Sequence, residues 1–194
     1  MTQSNHSDFE LSQEDIPDDL IIHTRAPQPA LTVEESLEFH AARLLLLLKY
    51  AGGRNAKITG RTKLAKMDFF LRYPTYLAKA LDLPTETKLK IRPESPMIRY
   101  KYGPWDPKYY DVFALLVGLG LMEVKPSEKG DVFSLTERGE YAVEELQGPE
   151  FEDIIERCKQ IYNRFGKLKG NQIKEYIYRE FPEIVVKTLG EEIE

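Results

Sequence analysis

Apolar residues in this chain recur at helical spacing in short blocks, and a glycine or proline cuts off each block. The clearest is Phe151, Ile154, Ile155, Cys158, Ile161, Tyr162 and Phe165, at offsets 0, 3, 4, 7, 10, 11 and 14. That spacing lines one side of a helix. Gly166 to Gly170 then turns the chain. Ile173, Tyr176, Ile177 and Phe181 form a second stripe ended by Pro182. Near the other end, Leu37, Ala41, Leu44, Leu45 and Leu48 form a third, with Gly52-Gly53 as its stop and Thr32 with Glu35 as a capping box at its start. Leu64, Met67, Phe70 and Leu71 share a fourth face, ended or kinked by Pro74, after which a short helix runs to Leu81. Short blocks of this kind require a mainly helical fold built by packing several brief helices together.

Two stretches break the helical period. Met97 to Tyr102 alternates like a strand and leads into a tight turn, Gly103-Pro104-Trp105-Asp106-Pro107. Asp106 can cap a helix starting at Pro107, which should bury Tyr110, Phe113, Ala114, Leu116 and Val117 and close at Gly118 or Gly120. Leu121–Val124 then faces Val132–Leu135 across a polar tip, a β-hairpin. Thr136 to Gly139 opens another helix, broken by Gly148-Pro149. Residues 82–96 read as a loop, and residues 1–31, with Pro17, Pro27 and Pro29, as an acidic tail. Helices followed by a two-stranded wing make the winged helix-turn-helix plan. The expected organisation is a tail at 1–31, a winged-helix domain at 32–147 and a C-terminal helical extension at 148–194.

Charge is zoned. The net −5 hides 2 basic against 9 acidic residues in 1–48, 14 against 5 in 49–108, and 11 against 18 in 109–194. A basic block between acidic flanks suits an anionic partner for the middle of the chain. It equally suits a surface that pairs its own faces, and the two readings stay open. Arg54, Lys57, Arg61, Lys63 and Lys66 cluster around the start of the second helix, and Lys88, Lys90, Arg92, Arg99 and Lys101 follow. Lysines and arginines at a helix start make an anion site, for DNA backbone or for an acidic protein surface. Tyr100, Tyr102, Trp105, Tyr109 and Tyr110 put five aromatics in eleven residues. Interface centres favour such residues. Tyr100, Tyr102, Trp105 and Tyr109 are the candidate partner contacts, with Trp105 as anchor; core packing around a turn is the competing account. The helix from Pro107 offers Lys108, Tyr109 and Asp111 before turning apolar, a poor reader of base edges.

Catalytic chemistry finds no footing. Gly52-Gly53 and Gly60-Arg61-Thr62-Lys63 do not fit the phosphate-loop pattern. His6, His23 and His40 are scattered, and the lone Cys158 sits in an apolar stripe. Glu86-Thr87-Lys88 has the E-x-K form of some nucleases, without a further acidic residue on an adjoining strand. The expectation is a protein that is not an enzyme, with no cofactor, no metal and no small-molecule substrate. A start without basic or long apolar residues, and apolar runs such as Leu44–Leu48 that are far too short to span a bilayer, predict a cytoplasmic chain without signal peptide or membrane span.

Three stretches resemble known families. "LLVGLGLMEV…DVFSLTERGEYAVEEL" looks like the end of a bacterial winged-helix domain. "RYKYGPWDPKYYDVFALLVGLGLM" resembles the Tyr-Gly-Pro-aromatic segment of Panacea and SocA-like antitoxin domains. "GRTKLAKMDFFLRYP" looks like the middle components of bacterial ABC three-component systems, including the small accessory subunit of Lamassu-type antiphage systems. The resemblance covers roughly residues 32–146. It implies a non-catalytic adaptor that bridges or regulates an SMC-like ABC-type ATPase and its nuclease effector, with possible contact to non-specific double-stranded DNA. The alternative is a winged-helix transcriptional regulator or antitoxin.

Overall fold

Five consecutive leucines, Leu44 to Leu48, are at most 3% exposed, so the helix carrying them is buried on every side. This helix, α1 (Leu37–Ala51), is the axis of the fold. In this computed structural model the described residues are 36–83 and 95–194, all within one compact unit. The expected tail at 1–31, Glu86-Thr87-Lys88 and the candidate contacts Lys88, Lys90 and Arg92 lie outside them.

The fold is mainly helical with a small antiparallel sheet. In chain order, α1 leads to β1 (Lys57–Thr59), α2 (Arg61–Arg72) and α3 (Pro74–Ala80). Then come β2 (Ile98–Tyr100), β3 (Gly103–Trp105), α4 (Tyr109–Gly118), β4 (Met122–Lys125) and β5 (Val132–Leu135). Helices α5 (Glu137–Glu145), α6 (Glu152–Phe165), α7 (Gly170–Glu180) and α8 (Pro182–Val185) follow. Ser36 caps α1 by accepting from the Phe39 amide at 3.1 Å, so α1 begins at Leu37; the capping box expected at Thr32 and Glu35 lies outside the described residues. Thr136 caps α5 in the same way through the Gly139 amide. Pro74 opens α3 as its first residue.

The hairpin β4–β5 has the expected strands, with Met122 opposite Leu135 and Lys125 opposite Val132. β1 adds on the other side of β5, giving the sheet order β1-β5-β4. The sequence reading missed β1, because three residues are too short for alternation to register. It also read Gly103-Pro104-Trp105 as a turn. These residues are β3, paired with β2, and Lys101-Tyr102 makes the turn. Gly103 sits at φ +95°, and a Cβ there would lie 3.2 Å from Lys66 Cε and 3.3 Å from Tyr178 Cε1.

Helix α4 is rotated from the expected face. Leu116 is fully buried and Phe113 packs against the core, as expected, but Tyr109 and Val112 are the other fully buried positions, whereas Tyr110 is 58% and Val117 47% exposed and Ala114 is exposed as well. Tyr109 turns inward because its hydroxyl finds a buried carboxylate, Asp68.

The C-terminal helices are core. α6 packs along α1, and α7 along α2. Phe70 of α2 stacks on Phe165 of α6 with centroids 4.4 Å apart, and Ile161, Phe165, Ile173 and Ile177 are fully buried. The boundary expected at 147/148 therefore has no counterpart in the packing: α6 to α8 complete the hydrophobic core rather than extend from it. Beyond α8 the chain runs beside β2. Arg99 N donates to Glu191 O at 2.7 Å, Gly190 N to Arg99 O at 2.8 Å and Ile193 N to Met97 O at 2.7 Å. Acidic residues near the C-terminus thus lie along the basic strand.

Candidate functional site

Inside the bundle a cluster of charges is sealed from water. Asp68 on α2 accepts from Arg43 Nε of α1 at 2.9 Å, from Arg72 Nε at 3.0 Å and from the Tyr109 hydroxyl at 2.7 Å. Arg72 also donates to Asp106, and through Nη1 to Ser95 O at 3.2 Å. His40 Nδ1 lies 3.2 Å from Asp106 Oδ2. Burial alone would raise the Asp68 pKa, but the positive charges of Arg43 and Arg72 outweigh it and hold the carboxyl below its ordinary range. Burial likewise opposes ionisation of Asp106, and the His40 hydrogen bond and Arg72 reverse it. All these side chains are at most 2% exposed. The cluster locks α1, α2 and the start of α4 together and offers nothing to a ligand. Tyr109, expected at a partner interface, belongs to it and is not a surface residue.

The candidate site lies one step outward. A cavity of about 270 Å³ opens where the start of α2, the β2–β3 hairpin and the first turn of α4 meet. Arg61, Thr62 and Lys66 line it from α2; Tyr100, Tyr102 and Trp105 from the hairpin; Tyr110 from α4. The basic residues and the aromatics, two separate expectations from sequence, are thus brought to one place. Tyr100 and Tyr102 are about half exposed, at 49% and 51%, and Trp105 is half-buried. The Trp105 ring centroid is 6.0 Å from that of Tyr100 and 4.9 Å from that of Tyr109. Arg61 pairs at 2.6 Å with Asp131, the residue before β5, and lies 6.0 Å over the Tyr110 ring.

Other expected contacts fall elsewhere. Arg54, Lys57 and Lys101 are exposed, outside the cavity. Lys63 is half-buried and tied to Gly166 O at 2.7 Å, and burial lowers its pKa. Lys66 was expected as a surface contact but is 1% exposed; its Nζ donates to Pro104 O at 2.6 Å. Burial, with the charges of Arg99 and Lys174 beside it, lowers its ammonium to about 7. Tyr110, which the sequence reading assigned to the core, is the wall residue it missed. Its place on α4, one position from Tyr109, carries no periodic signal that tells the two apart.

Among the described residues no group of three or more His, Cys, Asp or Glu is placed to hold a metal ion, and no helix is long and apolar enough to cross a membrane. No protein family, curated protein or solved structure matches the chain.

Proposed function

We propose that this chain is a non-catalytic interaction protein of winged-helix type whose cavity face, around Trp105, holds an anionic partner. The observation that carries this reading is the convergence of Arg61 and Lys66 with Tyr100, Tyr102, Trp105 and Tyr110 at one opening. Aromatic anchors beside cations are the composition of interface centres. The winged-helix assignment draws on the sheet order β1-β5-β4, with α1 before the first strand and α4 directly before the hairpin. The biological setting draws on the resemblance of residues 32–146: an adaptor in a bacterial antiphage complex, between an SMC-like ABC-type ATPase and its nuclease effector. Co-expression with the products of neighbouring genes tests it. The reading expects one stable complex by size exclusion; a chain that elutes alone beside a folded ATPase contradicts it.

A winged-helix regulator or antitoxin is the second reading, favoured by the exposed Arg54 and Lys57 beside β1. The helix in the recognition position weakens it, since α4 presents Tyr110, Asp111, Ala114 and Val117 outward. A gel shift with random and cognate DNA across a salt series separates the readings, because phosphate contacts alone give salt-sensitive, sequence-independent binding.

A further inference from the structure

Three cations, Lys66, Arg99 and Lys174, gather around Tyr178 and Gly103. Burial lowers the Lys66 pKa, and the positive charges of Arg99 and Lys174 lower it further. Arg99 Nε and the Tyr178 hydroxyl are buried and find no hydrogen-bond partner among the described residues. Tyr178 stands behind Gly103, under the Arg99 guanidinium at 5.6 Å and the Lys174 ammonium at 5.9 Å from its ring centroid. The buried Lys66 ammonium donates to Pro104 O, and a buried charge of this kind is stabilised by an anion beside it. Lys66 also forms a wall of the cavity, so an anion entering the opening reaches it.

The rest of the wall narrows the class of anion. Helix α2 starts at the cavity with Gly60 as a cap that brings no side chain, which leaves first-turn amides and the Thr62 hydroxyl as further donors. The same cavity is lined by flat rings: Tyr100 and Tyr110 each lie 6.0 Å, centroid to centroid, from Trp105. A carboxylate side chain brings one charge and no ring. A phosphate joined to a planar base brings both a multiply charged group and a π face. The volume, about 270 Å³, lies just below the usual ligand-pocket range of roughly 300–1,000 Å³ and takes one such unit rather than a chain of them.

We propose that the cavity binds a nucleoside phosphate, its base stacked against Trp105 and the neighbouring tyrosines and its phosphate held by Lys66 and the start of α2. This deepens the reading of the cavity as an anion-binding face and rests on it. The nucleotide is a bound ligand, not a substrate. A free nucleotide and the 5′-phosphorylated end of a nucleic-acid strand present the same unit, a phosphate beside a base that can stack on aromatic side chains.

Trp105 is the only tryptophan, so its fluorescence reports on the cavity directly. The full-length chain is titrated with AMP, adenosine, inorganic phosphate and a short single-stranded oligonucleotide with and without a 5′ phosphate. The expected result is saturable quenching by AMP, binding of adenosine weaker by about tenfold or more, and competition by inorganic phosphate. Tighter binding of the 5′-phosphorylated strand than of AMP assigns the strand end; equal or weaker binding assigns the free nucleotide. Lys66→Met and the exposed Arg61→Ala should each weaken AMP binding about tenfold at an unchanged melting temperature, and Arg61→Ala carries the test if Lys66→Met does not fold. No saturable quenching by any probe, equal affinity for AMP and adenosine, or unaltered AMP binding by a folded variant overturns the assignment. A chain that joins its neighbours' complex but binds no nucleotide loses this inference alone. One that binds AMP but joins no complex loses the adaptor reading alone.

Discussion

At the scale of single residues, Asp68 has the most to hold. It faces two guanidinium groups and a phenol at a fully buried position. Removing one partner of a buried ion cluster strands the other charges, at a cost of about 3–5 kcal/mol. Asp68→Ala should therefore lower the unfolding free energy by about that amount in urea denaturation; a loss under about 1 kcal/mol would contradict the account. The pH dependence follows in sign. Asp68 and Asp106 both titrate lower in the folded protein than in the unfolded chain. Their contribution is whole above the ordinary carboxylate range, near pH 4, and is lost as pH falls through it toward the folded values. The acid-induced loss should be smaller in Asp68→Ala. Nothing of this cluster was legible in sequence. Arg43 and Asp68 are 25 residues apart and Arg72 and Asp106 are 34 apart, and only the crossing of α1, α2 and the α4 entry joins them.

At the scale of elements, sequence period found the helices and misplaced one face. The stripes in α6 and α7 carry polar residues on the other side, so the period declares which side is inward. α4 is apolar nearly all round, with a sequence, Tyr-Tyr-Asp-Val-Phe-Ala-Leu-Leu-Val, that leaves its rotation undetermined. Polar packing decides it, through the Tyr109 hydroxyl on Asp68. Val112 and Val117 give the test. Val112→Asp buries a charge and should abolish cooperative folding, whereas Val117→Asp, at a 47% exposed site, should shift stability by no more than about 0.5 kcal/mol. Chemical denaturation of both variants checks this, and equal damage would return α4 to the orientation first read from its sequence. The strands β1 and β3 were invisible for a different reason. Each has three residues and depends wholly on a partner strand, β5 or β2, for its geometry.

For the whole molecule, the folding unit runs through the C-terminal helices. Without α6 to α8, the faces of α1 and α2 that carry Leu44–Leu48 and Phe70 lose their cover. A chain truncated after Gln147 should be insoluble or lack a cooperative thermal transition; a soluble, protease-resistant 1–147 fragment would show the winged-helix part to be self-sufficient. The candidate site was half legible at this scale. The basic cluster and the aromatic cluster each stood out in sequence, yet they lie on different elements, Arg61–Lys66 on α2 and Tyr100–Tyr110 on the hairpin and α4, and the hairpin β2–β3 folding over the start of α2 unites them. The central claim is that this united face is where the partner docks. The most direct measurement is co-purification of the complex with Trp105→Ala and with Tyr110→Ser, whose ring is 58% exposed, each alongside its melting curve. The account predicts that both variants keep a cooperative melt and both lose the partner. Folded variants that co-purify as well as the unaltered chain would contradict it.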